Sequence, residues 1–235
     1  MDNLRNKAGY NFLRCVKGYH MLNNSPITGT CWEDINATVL NASDCPVLWM
    51  SNGSHKPGKD MDCRIEGLAN HVVSLSNKST KYFRGNRRFK ISSYRLGTIC
   101  SETSPGEVKD IVKGINDKKN FEFYSVLARS HAGKEIHYDW YLIPSDLPAL
   151  DPSTYEWHLK YKKNGDLSGW ETNIVNGSSM FVNFTMSSEL WINLTITDDV
   201  KKFIVGSCDA NTVSRMNYID FYEKTVDNLP LTMVT

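Results

Sequence analysis

Two aspartates and a lysine on neighbouring strand-like segments are the residues of this chain whose types and spacing best suit chemistry. Asp60 and Asp62 lie in one alternating segment, and Ser76 and Lys78 lie in the next. A short polar link joins the segments, which predicts a β-hairpin. Side chains two positions apart share a face of a strand, so each pair is expected on one face. Carboxylates beside a lysine can hold a divalent metal ion and orient a water molecule for attack on a phosphate.

The rest of the chain predicts a mixed α/β or α+β fold around this hairpin. Apolar residues at helical spacing predict helices at 1–24, 31–40 and 108–115. Strand patterns occur at 46–50, 58–67, 72–79, 89–100, 121–129, 137–144, 155–163, 167–173, 179–186 and 189–195. Helices before, between and after strands indicate a mixed β-sheet flanked by helices. We expect residues 1–150 to form a core with N-terminal helices, and residues 151–235 a β-rich C-terminal subdomain.

The third predicted helix carries the clearest start signal. Ser104 is a residue type that caps helices, Pro105 follows it, and Glu107 stands three residues after the serine. Proline suits the first helical position and glutamate the third. We therefore expect this helix to open at Pro105, directly after a cap at Ser104.

Net charge limits the classes of function that the chain can have. Its formal net charge is +1, which excludes a strongly basic nucleic-acid binder but allows local basic patches. The segment 81–90 is such a patch, with aromatic residues between five cations: Lys81, Arg84, Arg87, Arg88 and Lys90. Cations in this pattern can contact a phosphate backbone, whereas the alternative is a solvated loop or edge strand.

The sequence predicts a cytoplasmic protein without a membrane partner. No run of about 18 apolar residues exists, so no transmembrane helix is expected. The N-terminal residues lack the apolar core of a signal peptide. Both observations favour an intracellular location.

A secreted or viral surface glycoprotein domain, stabilised by disulfides and without an active site, is the alternative. The chain has six cysteines, an even set that would suit a disulfide framework. Asn-x-Ser/Thr sequences, which accept N-linked glycans, occur at Asn23, Asn36, Asn41, Asn52, Asn77, Asn176, Asn183 and Asn193. Dispersed cysteines in a long chain are, however, usually buried thiols.

The acidic hairpin resembles the PD-(D/E)xK pattern of Mg²⁺-dependent nucleases. In that pattern one strand carries an acid and its neighbour carries an acid-x-lysine sequence. The resemblance covers residues 30–145 and is to type II restriction endonucleases with a Ser-x-Lys variant. Ser76 departs from the common pattern, because a serine cannot supply the negative charge that binds Mg²⁺. The compensating acid would be Glu33 on the early helix, Glu66, or the second of the two aspartates.

The resemblance implies a restriction-endonuclease-like core that hydrolyses double-stranded DNA with Mg²⁺. Its catalytic residues would be Asp60, Asp62, Ser76 and Lys78. Lys78 would position or help deprotonate the attacking water and stabilise negative charge in the transition state.

The resemblance also implies metal ligands, DNA contacts and an oligomeric state. The metal ligands would be Asp60, Asp62, Asn77 through its carbonyl, Glu33 and Glu66. The cations of the basic patch would contact DNA phosphates, which adds affinity and not sequence choice. A two-fold homodimer is expected, because palindromic sites are most simply read by symmetric proteins.

Overall fold

The computed structural model describes residues 2–43, 47–49, 59–64, 71–83 and 87–211. Over these residues the chain forms a mixed α+β fold with a large mixed β-sheet and few helices. The helices are α1 (Asp2–Leu22), α2 (Gly29–Asn41), α3 (Val108–Lys118), α4 (Thr185–Ser188) and α5 (Asp198–Lys201). The strands are β1 (Val47–Trp49), β2 (Met61–Arg64), β3 (Val72–Phe83), β4 (Arg88–Arg95), β5 (Phe123–Ala132), β6 (Glu135–Pro144), β7 (Trp157–Tyr161), β8 (Leu167–Thr172), β9 (Ser179–Asn183), β10 (Glu189–Thr195) and β11 (Ile204–Asn211).

The long strand β3 joins the parts of the sheet. Its first residues pair antiparallel with β2, which in turn pairs antiparallel with β1. Its middle pairs in parallel with β5, and its last two residues pair antiparallel with β4. The sheet runs in the order β11-β6-β5-β3-β4-β10-β9-β8-β7. Because a parallel neighbour requires a crossover, the chain passes through α3 between β4 and β5.

Two hydrophobic clusters cover the two faces of the central strands. On one face, Phe12 of α1 and Trp32 of α2 pack with Trp140 of β6. On the other face, Tyr124 of β5 packs in a cluster that includes Ile91 of β4 and residues of α3 and β8–β10. Cover on both faces explains why residues 124–130 of β5 are buried without interruption. It also means that alternate residues of β3 contact different layers of the protein.

The structure confirms most of the predicted elements and corrects one helix start. The predicted β2–β3 hairpin is an antiparallel pair, and the neighbouring strands β5–β6, β7–β8 and β9–β10 pair antiparallel as well. The prediction that α3 opens at Pro105 after a cap at Ser104 is wrong. The helix begins at Val108, and its cap residue, Glu107, makes no side-chain capping bond. Gly106 has φ +74°, which is a left-handed conformation that ends any helical path through Pro105.

Strands on both sides of residue 150 belong to the same sheet. β10 pairs with β4, and β11, which the sequence did not predict, pairs with β6. The division of the chain into a core over 1–150 and a subdomain over 151–235 stays a prediction. Among the helices of the described ranges, none is long and apolar enough to cross a membrane.

Candidate active site

The carboxylate of Asp60 is anchored on the neighbouring strand, β3. Its Oδ2 atom accepts the backbone N–H of Asn77 at 2.6 Å and the hydroxyl of Ser76 at 3.3 Å. The ammonium Nζ of Lys78 lies 3.8 Å from the same oxygen. Asp60 immediately precedes β2, where Met61 pairs with Leu75. The structure therefore brings Asp60, Ser76 and Lys78 together, and the hydroxyl of Ser76 serves as a donor to the acid.

Glu33 of α2 belongs to the same electrostatic cluster. Burial and then the negative charge of Asp60 raise the pKa of Glu33, while the charge of Lys78 acts in the opposite direction. The start of α2 is tied to β3, because the backbone N–H of Gly29 donates to the hydroxyl of Ser79 at 2.9 Å. Of the three acids that the sequence nominated to compensate for Ser76, Glu33 is thus placed where its charge interacts with both Asp60 and Lys78.

Asp62 makes a different set of contacts from Asp60. Its carboxylate accepts a bond from Lys59 Nζ at 2.7 Å and from the hydroxyl of Ser74 at 2.6 Å. Partial burial alone would raise the pKa of Asp62, but the hydrogen bonds from Lys59 and Ser74 outweigh it and lower the pKa. The sequence placed both aspartates in one metal site, whereas the structure shows Asp62 held by partners of its own.

Asn77 lies between the acidic cluster and the helical layer. Its backbone N–H holds Asp60, and its side-chain Oδ1 accepts a bond from Asn36 Nδ2 of α2 at 2.6 Å. Both asparagine side chains are buried. Sequence reasoning considered Asn36 only as a glycan acceptor and missed this role. The available signal was its position three residues after Glu33, which places both side chains on one face of α2.

The basic patch is only partly described by the structure. Lys81, Arg87 and Arg88 are exposed, as phosphate contacts would have to be. Lys90 is exposed as well, but its Nζ lies 4.3 Å from the ring centroid of Trp191 and 4.6 Å from that of Phe181. Partial burial and the nearby Lys160 lower the pKa of Lys90. The remaining predicted site residues, Glu66 and Arg84, lie outside the described residues.

Three disulfides and glycans on every Asn-x-Ser/Thr sequence, which the alternative glycoprotein would have in full, do not agree with the described residues, although Asn41 and Asn176 are exposed. Cys15, Cys31, Cys100 and Cys208 are free thiols, so six cysteines cannot form three disulfides here. Two of the asparagines in Asn-x-Ser/Thr sequences, Asn36 and Asn77, are 0% and 5% exposed. A buried asparagine in a packed core cannot carry a glycan in the folded protein.

The donor set of the cluster suits a magnesium ion. Among the described residues, no group of three or more His, Cys, Asp or Glu side chains could hold a metal ion. Mg²⁺ is commonly bound by only one or two carboxylates, with waters and substrate phosphates completing its shell. Asp60 and Glu33 are two such carboxylates, and the pKa of Glu33 is raised first by burial and then by the negative charge of Asp60. A bound cation would offset the effect of Asp60 on Glu33.

No protein-family model, curated protein or solved structure matches the chain.

Proposed function

We propose that this protein is a Mg²⁺-dependent endonuclease that hydrolyses phosphodiester bonds of double-stranded DNA. One observation carries the proposal: Asp60 before β2, Lys78 on β3 and Glu33 on α2 interact as a single charged cluster. An acid on one strand beside a lysine on its neighbour is the arrangement that the PD-(D/E)xK resemblance requires. Glu33 supplies the second acid that Ser76 cannot.

Asp60 and Glu33 would hold the metal ion in this enzyme, and the backbone carbonyl of Asn77 is a third candidate ligand. Mg²⁺ would supply Lewis-acid stabilisation of the negative charge that develops on the phosphate. Asp62 is removed from the proposed ligand set, because Lys59 engages its Oδ2 and Ser74 its Oδ1, whereas the contacts of Asp60 with Ser76, Asn77 and Lys78 all fall on Oδ2.

The side chains of the cluster orient the water molecule and stabilise charge. Hydrolysis forms one P–O bond to the water oxygen and breaks one P–O bond to a sugar oxygen, and the departing sugar oxygen ends as a hydroxyl. The ammonium of Lys78 stabilises negative charge on the phosphate as the new bond forms. The hydrogen bonds from Asn77 N–H and Ser76 fix the carboxylate of Asp60 before the substrate arrives, so no reorganisation is needed during reaction.

Exposed cations and two-fold symmetry would account for DNA binding. Lys81, Arg87 and Arg88 are free to reach phosphates on a duplex that lies along the end of β3 and the start of β4. A homodimer would present two active sites, one for each strand of a palindromic sequence. The protein would then act as a site-specific enzyme of the restriction type.

Cleavage of unmodified bacteriophage DNA in the presence of Mg²⁺ tests the proposal. The wild-type protein should produce discrete fragments, and Asp60→Asn, Glu33→Gln and Lys78→Ala should each reduce the cleavage rate by about 100-fold or more. Asp34→Asn is the matched control, because Asp34 is an exposed acid next to Glu33 on the same helix.

Two outcomes would contradict the proposal at different levels. A wild-type protein that cuts DNA with neither Mg²⁺ nor Mn²⁺ would rule out the nuclease function. Normal cleavage by Lys78→Ala would leave the function standing but would show that the site is assigned to the wrong residues.

A further inference from the structure

A buried hydrogen-bond network connects the helix that carries Glu33 to the strand that carries Lys78. Asn36 Nδ2 donates to Asn77 Oδ1 at 2.6 Å and to Ser125 Oγ of β5 at 3.0 Å. The hydroxyl of Ser125 also accepts the indole N–H of Trp140 at 2.9 Å. Asn36 and Ser125 are fully buried, and Asn77 is 5% exposed. Polar groups buried this deeply are costly unless they are satisfied, so each bond in the network constrains its partners strongly.

The network lies directly behind the proposed site. Asn36 is one helical turn after Glu33, and Asn77 is both the residue before Lys78 and the donor that holds Asp60. The bond from Asn36 to Asn77 therefore spans the two elements whose relative position sets the spacing of the two carboxylates. The other amide atoms of the pair, Asn36 Oδ1 and Asn77 Nδ2, have no hydrogen-bond partner within the described part of the chain. One bond thus holds these two side chains to each other.

We propose that Asn36 is a positioning residue of this site, which acts through Asn77 to hold Glu33 beside Asp60 and Lys78. The inference rests on the proposed nuclease function, and it adds a residue that touches neither metal nor DNA. Residues behind the first ligands of a metal site typically change metal affinity or activity by about 10- to 100-fold when they are removed. An apolar residue at position 36 leaves the amide of Asn77 without its donor and lets α2 shift against β3.

The experiment measures how the cleavage rate depends on Mg²⁺ concentration in Asn36→Leu, a variant of similar side-chain volume. The Mg²⁺ concentration for half-maximal cleavage should rise about tenfold or more, while duplex DNA affinity measured without metal stays at the wild-type value. Direct Mn²⁺ binding, followed by electron paramagnetic resonance, should weaken by the same factor. If Asn36→Leu does not unfold cooperatively, Asn36→Ser carries the same expectation with a smaller structural change.

Ser125→Ala is the matched control, because it removes the second acceptor of Asn36 and leaves the bond to Asn77 in place. It should lower stability without changing the Mg²⁺ dependence. If the two residues act as one unit, the double variant Asn36→Leu with Asn77→Leu should need no more Mg²⁺ for half-maximal cleavage than Asn77→Leu alone.

The possible results separate the inference from the function on which it rests. Unchanged Mg²⁺ dependence in the Asn36 variants, with an active wild-type protein, overturns the positioning role alone. Equal shifts in Asn36→Leu and Ser125→Ala also overturn it, because they would indicate a general loss of packing. A wild-type protein that neither cleaves DNA nor binds Mn²⁺ overturns the proposed function, and the positioning role with it.

Discussion

The carboxylate of Asp60 accepts the backbone N–H of Asn77 at 2.6 Å, so an acid that precedes one strand is fixed to the main chain of the next. Asn77 is followed directly by Lys78, whose ammonium lies 3.8 Å from the same carboxylate oxygen. The acid is therefore held to one residue of β3 and the lysine extends from the next, which restricts their relative motion. This local rigidity is what a preorganised catalytic site requires.

The two aspartates of the hairpin should differ sharply when each is replaced by asparagine. Asp60→Asn should lower the DNA cleavage rate by about 100-fold or more, because it removes a proposed metal ligand. Asp62→Asn should lower the rate by less than about tenfold, but should cost about 1–2 kcal/mol in the free energy of unfolding through its lost charge-assisted hydrogen bonds. Cleavage kinetics and urea unfolding of both variants measure the difference. Equal losses of activity would show that Asp62 also belongs to the site.

Removing the charge of Glu33 should stabilise the metal-free protein at neutral pH. The pKa of Glu33 is raised above its ordinary value of 4.5 by burial and by Asp60. Because this pKa is raised in the folded state, the contribution of the protonated Glu33 to the free energy of unfolding is complete below pH 4.5. It is lost as the pH rises through the raised pKa. Glu33→Gln should therefore unfold at a higher temperature than the wild-type protein at pH 7, and should show no gain near pH 4.

With Mg²⁺ present, the wild-type protein should unfold at a higher temperature than Glu33→Gln, because the ion binds and stabilises the wild-type protein only. Thermal unfolding with and without Mg²⁺ is the measurement. If Glu33→Gln gains no stability at pH 7 without metal, then neither burial nor the charge of Asp60 disfavours the charged form of Glu33 in the folded protein.

A histidine lies between two aspartates at the β11 edge of the sheet, and it should make the free energy of unfolding depend on pH. His137 of β6 lies 3.0 Å from Asp139 and 2.7 Å from Asp209, and Asp139 also accepts bonds from the hydroxyls of Tyr82 and Ser207. The bond to Asp139 is the largest of the effects that raise the pKa of His137, and burial opposes it. For Asp139 burial opposes the shift, but bonds from His137, Ser207 and Tyr82 outweigh it and lower the pKa.

The two shifts define the pH window in which this cluster stabilises the fold. The contribution of His137 is complete below its ordinary pKa of 6.5 and is lost as the pH rises through its raised value. The contribution of Asp139 is complete above its ordinary pKa of 3.8 and is lost as the pH falls through its lowered value. His137→Gln should therefore cost about 1–2 kcal/mol near pH 5.5 and clearly less near pH 9. Urea unfolding at both values measures this, and a cost that is independent of pH would contradict it.

Two exposed arginines, Arg87 directly before β4 and Arg88 at its first position, should control the salt dependence of DNA binding. Each phosphate contact contributes about 0.9 to the slope of log K against log salt concentration. If Arg87 and Arg88 both contact phosphates, replacing both with alanine should reduce this slope by about 2 and weaken binding to all DNA sequences alike. Lys163→Ala, at an exposed lysine on the β7–β8 turn, is the control. An unchanged slope would place the DNA elsewhere.

Local patterns in the sequence were sufficient to predict the β2–β3 hairpin, most of the strands and the three longest helices. Alternation determines which residues of a strand share a face, and this depends only on neighbours in the chain. The sequence therefore placed Ser76 with Lys78 correctly and identified the strand that they occupy. The capping residues predicted the first residue of α3 wrongly, because the left-handed Gly106 interrupts the apparent helix start at Ser104 and Pro105.

Only the tertiary structure shows that Glu33 interacts electrostatically with Asp60 and Lys78, and which residues hold Asp60. Glu33, Glu66 and Asp62 were equivalent candidates in the sequence. Glu66 lies outside the described residues, and between the other two, the packing of α2 against the central strands brings the charge of Glu33 within reach of Asp60 and Lys78. The bond from Asn36 to Asn77 joins residues 41 positions apart, and no local periodicity encodes such a contact. It exists because the parallel pairing of β3 with β5 creates a surface on which the helix can bury its apolar face. The chain thus specifies its strands locally, whereas the site depends on how distant elements pack.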